Sequence, residues 1–169
     1  MARTLNVGFI QILEPRPCGG FFRAGNSDLL SDGDRQEVRR FVVTANSHRR
    51  YRSYPIVHSV ALAESPAMWG CLMGGLSHFH IDGRGNVNPC VFLPVTFGNI
   101  TREKFPAIFK RMRSAVPLPL HTECPSLQLS EALHRLAAHA GATPVPYEAV
   151  RTDWREMVSR VSPSGECAE

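Results

Sequence analysis

Apolar residues first gather in a short dense run. Val7, Phe9, Ile10, Ile12 and Leu13 fall within Asn6 to Leu13, a length and density that predict a buried strand. Glu14-Pro15-Arg16-Pro17 stops it, since proline cannot donate to a strand ladder. Gly19-Gly20 and Gly25-Asn26 mark the loop beyond. The spacing then becomes helical. Val38, Phe41, Val42 and Ala45 give one apolar face to a helix running from Ser31 or Asp32 to His48. Ser31 or Asp32 is its expected cap, and Asp34 and Glu37 suit its positive end. Ile56 to Ala63 reads as a second short strand, so strand, helix and strand form a βαβ unit of a parallel sheet.

The pattern changes near Pro66. Ser77-His78-Phe79-His80-Ile81 alternates polar and apolar, and Val87 to Leu93 returns after Asp82-Gly83-Arg84-Gly85-Asn86, whose residues tolerate positive φ. A β-hairpin over Ser77 to Phe92 is therefore expected. A helix follows Gly98-Asn99, with Phe105, Ile108, Phe109 and Met112 on one face. Thr101 is the expected cap, with Ile100 and Phe105 as a hydrophobic staple, and Pro106 shifts the start towards itself. After Pro117, Pro119 and Pro125, another helix runs from Ser126 or Ser130 to Ala140. Leu129, Leu133, Leu136 and Ala140 form its core stripe, and Gly141 closes it. From Thr143 the pattern defines no clear element, and Ser162 to Glu169 is expected to be disordered. No internal repeat is present.

Composition narrows the class. The chain has 169 residues, 43% hydrophobic and 20% charged, enough for one packed domain or a small domain with an attached piece of another. No apolar run approaches membrane-spanning length, and Met1 to Leu5 does not open a secretory leader, so a cytoplasmic location and no membrane partner are expected. The net charge of +4 comes almost wholly from scattered arginines, with Lys104 and Lys110 the two lysines. The basic runs are short, and aromatic residues do not interleave with them in a stacking pattern, so nucleic acid is not the expected partner.

The chemistry lies in five cysteines, Cys18, Cys71, Cys90, Cys124 and Cys167. Their odd number and wide spacing suit free or metal-binding thiols in a cytosolic chain better than disulfides. Cys71 precedes the hairpin and Cys90 sits on its return strand. The glycine-bearing turn reverses the chain between them, so the two thiols can converge. Cys124 follows a helix, and three thiolates from separate segments could clamp one soft metal centre. His78, His80 and Asp82 share a strand face by period two. That face is either a plain polar hairpin surface or, with Cys71 and Cys90, a zinc site. Gly74-Gly75 is too short to cradle a phosphate.

Cys71-x13-Gly85-x4-Cys90, then Pro94, Gly98-Asn99-Ile100, a helix ending Lys110-Arg111-Met112-Arg113, and Cys124 resemble the SPASM/Twitch auxiliary domain of radical S-adenosylmethionine (SAM) proteins. The resemblance covers residues 66 to 126. It implies a [4Fe–4S] cluster held by Cys71, Cys90 and Cys124 beside an active site. The later closely spaced cysteines of a two-cluster domain are missing, which places the chain nearer the single-cluster Twitch form. Cys18, a nearby histidine or carboxylate, or a substrate would take the fourth iron. Residues 1–65 resemble the last strands and helix of a radical SAM partial barrel, with Gln11, Glu14 and Arg16 facing substrate or SAM. No two cysteines stand close enough for the C-x3-C-x2-C loop that binds the SAM-cleaving cluster. The chain is thus expected to be a fragment of such an enzyme, not catalytic alone, with SAM bound only in the complete parent. Its expected partner is the missing N-terminal half, or a peptide or small-molecule substrate.

The expected fold is α+β: a truncated barrel over 1–65, a hairpin-plus-helix auxiliary cluster domain over 66–140, and a partly disordered extension over 141–169. A small zinc-binding structural module and an inactive truncated remnant are the alternatives.

Overall fold

The first apolar run forms strand β1, Phe9–Ile12, and pairs in parallel with β2, Ile56–Ser59, with Ile10 opposite Val57 and Gln11 opposite His58. These coordinates come from a computed structural model, which describes residues 4–18, 29–63, 68–116, 124–141 and 143–161. The loop residues Gly19-Gly20 and Gly25-Asn26, the prolines at 117 and 119, and the tail from Ser162 lie outside the described residues.

Helix α1, Asp32–Ser47, connects the two strands. Of the two expected caps it uses Ser31. The hydroxyl accepts from the Asp34 N–H at 3.2 Å, and the Asp34 carboxylate accepts from the Ser31 N–H at 2.9 Å, closing a capping box. Asn46 fastens the helix to β2 by donating to the Val57 carbonyl at 2.6 Å and accepting from the Val57 N–H at 2.9 Å. The expected apolar face is only partly covered: Val42 is buried, whereas Phe41 is 56% exposed. A two-stranded sheet is too narrow to cover it, and Phe9 and Ile56, opposite each other in register, are also exposed. Strand β2 ends at Ser59, earlier than the apolar pattern suggests, and Val60–Ala63 makes one helical turn.

Beyond residue 68 the core is denser. A short antiparallel hairpin joins β3, His80–Ile81, to β4, Val87–Asn88, and β5, Val95–Thr96, pairs in parallel with β6, Val145–Pro146. Helix α2, Phe105–Ala115, follows the cap Lys104 rather than Thr101. Pro106 fits the first turn, where its missing N–H costs nothing. Thr101 is engaged elsewhere: its N–H and hydroxyl both donate to the Asn99 side-chain oxygen, at 2.9 and 2.6 Å. Helix α3 is Pro125–Ala140, starting directly after Cys124, and Gly141 ends it with φ of 60°, the left-handed close expected there.

The segment after Thr143 supplies a long fourth helix, α4, Tyr147–Val161. Its Trp154 is fully buried, donates its indole N–H to the Ala115 carbonyl at 2.9 Å, and meets Phe97 edge-on. Val145, Val150 and Val158 join Met73, Val87, Leu93, Ile108, Met112 and Leu133 in the same core. The fold is α+β, and the described residues combine helices with three two-stranded sheets. Among the described residues no helix is long and apolar enough to cross a membrane.

Candidate metal centre

The hairpin turn is built around Asp82. Its carboxylate accepts from the N–H groups of Arg84 and Asn86 at 2.8 and 2.9 Å and from the Asn86 side-chain amide at 2.9 Å. These bonds hold its carboxyl below the usual carboxylate range, the Asn86 amide first among them. Gly85 stands at φ of +85°, and a Cβ there would come within 3.1 to 3.2 Å of Asn99, Ile100 and Thr101. Asn99 crosses over the turn, donating to the Arg84 carbonyl at 2.9 Å and to the Asn86 side-chain oxygen at 3.0 Å. The Ile100 N–H adds a bond to the Gly85 carbonyl at 2.9 Å. The glycine at 85 and the Gly98-Asn99-Ile100 step are thus two halves of one clasp, which sets where the return strand leaves the turn.

That clasp positions Cys90. Strand β4 is held on its far side by the Val87 N–H to the Gly98 carbonyl, 2.9 Å, and the Phe97 N–H to the Val87 carbonyl, 2.8 Å. The Cys71 segment is fastened to the same place, because the Gly74 N–H donates to the Pro89 carbonyl at 2.9 Å. Gly75 lies against α2, where a Cβ would fall 2.4 Å from the Phe109 ring. The Gly74-Gly75 pair therefore serves close packing.

Cys71, Cys90 and Cys124 are all buried, at 3%, 6% and 7% exposure. They come from three segments and line one cavity of about 330 Å³, together with His58, Trp69 and His78 and otherwise apolar side chains. Burial pushes the Cys90 thiol far above its ordinary range, and the sulfurs of Cys124 and Cys71 push the same way. Against this, the backbone N–H groups of Phe92 and Leu93 point at the Cys90 sulfur and favour its thiolate. Cys124 is the residue directly before α3, and its sulfur lies 3.0 Å from the Ser126 hydroxyl. The pocket thus offers donors to thiolates while desolvation and mutual repulsion oppose their charge. A bound cation reconciles the two.

Cys18 is half-buried and close enough to Cys124 for that sulfur to raise its thiol, after burial itself. Cys167 lies outside the described residues. The hairpin zinc site loses Asp82, whose carboxylate is consumed by the turn. More generally, among the described residues no three His, Cys, Asp or Glu side chains converge closely enough to hold a single metal ion. One tetrahedral zinc needs sulfurs about 3.8 Å apart, from Zn–S bonds near 2.3 Å. A multi-iron cluster carries its thiolates on separate irons and accepts a wider ring.

The three residues at the end of β1 have different fates. Gln11 is exposed and, as the register partner of His58, shares its face of the sheet. Glu14 is gripped by two arginines, 3.1 Å from Arg16 and 2.5 Å from Arg35, with all three side chains largely buried. Its Oε2 lies at ion-pair distance from Arg16 but without hydrogen-bond alignment. Nothing in the residue pattern singled out His58 or Trp69, because strand register and tertiary packing bring them to the thiols.

Residues 71–125 match the SPASM family, an iron–sulfur cluster-binding domain. No curated protein and no solved structure matches the chain.

Proposed function

We propose that the chain binds an iron–sulfur cluster of the [4Fe–4S] kind through Cys71, Cys90 and Cys124, as the auxiliary centre of a radical SAM system. The observation that carries this is three buried thiols from three segments on one cavity, inside the stretch that matches the SPASM family. When bound, the cluster would relay electrons or offer an iron to a substrate. The protein supplies the rest. The clasp around Gly85 and Asn99 fixes Cys90, the Gly74–Pro89 bond ties Cys71 to it, and the start of α3 presents Cys124. Mostly apolar side chains line the cavity around the buried cysteines.

The βαβ unit at the N-terminal end, its parallel register and the exposed Phe9 and Ile56 are what a piece of a larger parallel sheet would show. In this proposal Gln11 faces the reaction space, while Glu14 and Arg16 form the ion pair that shapes its edge. The SAM-cleaving cluster would come from a C-x3-C-x2-C segment, which this sequence does not contain.

Anaerobic reconstitution with iron and sulfide tests the ligand set. Cys71→Ala, Cys90→Ala and Cys124→Ala should each lower bound iron sharply, and Cys167→Ala should not. Equal iron in all four variants would refute the assignment.

A further inference from the structure

Three cysteines leave one corner of a four-iron cluster without a protein ligand, and two histidines, His58 and His78, line the same cavity. We propose that His58, through its Nδ1, is the fourth ligand. This inference rests on the cavity being a cluster site.

His58 lines the cavity with Cys71, Cys90 and Cys124. Its Nδ1 is buried and has no hydrogen-bond partner among the described residues. A buried polar atom left unmatched costs on the order of 1–3 kcal/mol, so folded proteins rarely keep one without a use. The ring is also held. Strand pairing with Gln11 fixes its backbone, and Phe9 stacks on it with ring centroids 6.0 Å apart and planes at 28°. A neutral imidazole has a lone pair on one ring nitrogen and a proton on the other, so it can ligate iron without adding negative charge to a buried ring of thiolates.

Among the competing groups, Glu14 is held by Arg16 and Arg35, and His78, engaged at Nδ1 by Ser77, offers only its Nε2, which the His78→Ala variant below tests. Cys18 neighbours Cys124, but it is not among the residues that line the cavity. Replacing a thiolate by an imidazole removes negative charge from the cluster and raises its reduction potential, the effect histidine ligands have in Rieske centres.

The test uses the full chain reconstituted anaerobically, with and without ¹⁵N-labelled histidine. The reduced cluster is read by pulsed electron paramagnetic resonance beside iron and sulfide analysis. The expected result is a cluster whose spin couples strongly to one histidine nitrogen. The coupling should persist in His78→Ala and vanish in His58→Ala and His58→Cys. His58→Cys should keep its iron and show a lower midpoint potential. A loaded wild-type cluster without a directly bound nitrogen would overturn the role of His58 while leaving the three-cysteine site standing. So would coupling that survives His58→Cys or disappears in His78→Ala. A wild-type chain that takes up no iron would refute the cluster site itself, and His58 ligation with it. The labelled wild-type measurement needs no variant to fold.

Discussion

Gly85→Ala is the sharpest probe of how the hairpin positions Cys90. The residue stands at φ of +85°, where a non-glycine side chain costs about 1–2 kcal/mol. The added Cβ would also sit 3.1 Å from the Asn99 side-chain oxygen and 3.2 Å from Ile100 and Thr101. Those neighbours belong to the clasp and cannot retreat without loosening the bonds from Asn99 to Arg84 and Asn86. Crowding of this kind adds about 1 kcal/mol, at the low end for overpacking. The sum, about 2–3 kcal/mol, is a large share of the 5–15 kcal/mol that typically holds a domain together. For a chain of this size it corresponds to a melting temperature lower by roughly 5–10 °C. Gly83 is the internal control: it lies in the same turn without a positive φ, and nothing stands within 4 Å of its would-be Cβ. Gly83→Ala should be neutral or stabilising by up to about 1 kcal/mol. Thermal unfolding of the metal-free chain, followed by circular dichroism, reads both. Equal melting temperatures for the two variants would refute the clasp.

Further outcomes follow from the core and from the thiols. Trp154→Ala should destabilise by about 3–5 kcal/mol, because a fully buried ring and its bond to Ala115 are lost together; an unchanged denaturant midpoint would mean α4 does not pack as described. In the metal-free chain, Cys90 stays neutral when folded but ionises near its ordinary value of 9.0 when unfolded. Its contribution is therefore whole below that pH and declines as pH rises above it, by at most about 1.4 kcal/mol per unit. Urea midpoints on the two sides of that value, compared with Cys90→Ala, should show a loss that the variant lacks, and a parallel response would contradict the burial of this thiol. Arg111→Ala removes the partner that holds the Glu103 carboxyl below its usual range. The wild type should lose this contribution on acidification through the carboxylate range, and the variant should lose less, since the Asn99 backbone bond to the carboxyl remains; identical acid sensitivity would mean the pair contributes nothing.

Much of the local structure was legible because local chemistry decides it. The cap of α1 was narrowed to Ser31 or Asp32, and Gly141 ends α3 as a glycine in that position does. The hairpin was legible from Asp82 to Asn86, since those side chains bond their own backbone. Thr101 misled as a cap because its partner is Asn99, two residues earlier, and Pro106 set the helix start. Phe41 misled as a core residue because the helical pattern does not reveal how much sheet lies beneath it. The α4 helix could have been found from Val150, Trp154, Met157 and Val158, which recur at helical spacing, but Pro144 and Pro146 just before them broke up the signal. Of the candidate site, the hairpin cysteines follow from a turn that reverses the chain. The approach of Cys18 to Cys124 and the arrival of His58 depend on tertiary packing, which no local pattern encodes.

The most direct measurement is Mössbauer spectroscopy with iron and acid-labile sulfide analysis on the whole chain, reconstituted anaerobically with ⁵⁷Fe and offered zinc in competition. If the three buried sulfurs around the cavity carry a cluster, the protein turns brown and holds about four iron and four sulfide per chain, with spectra of a cubane. A colourless protein, or one that takes a single zinc and no sulfide, would contradict it.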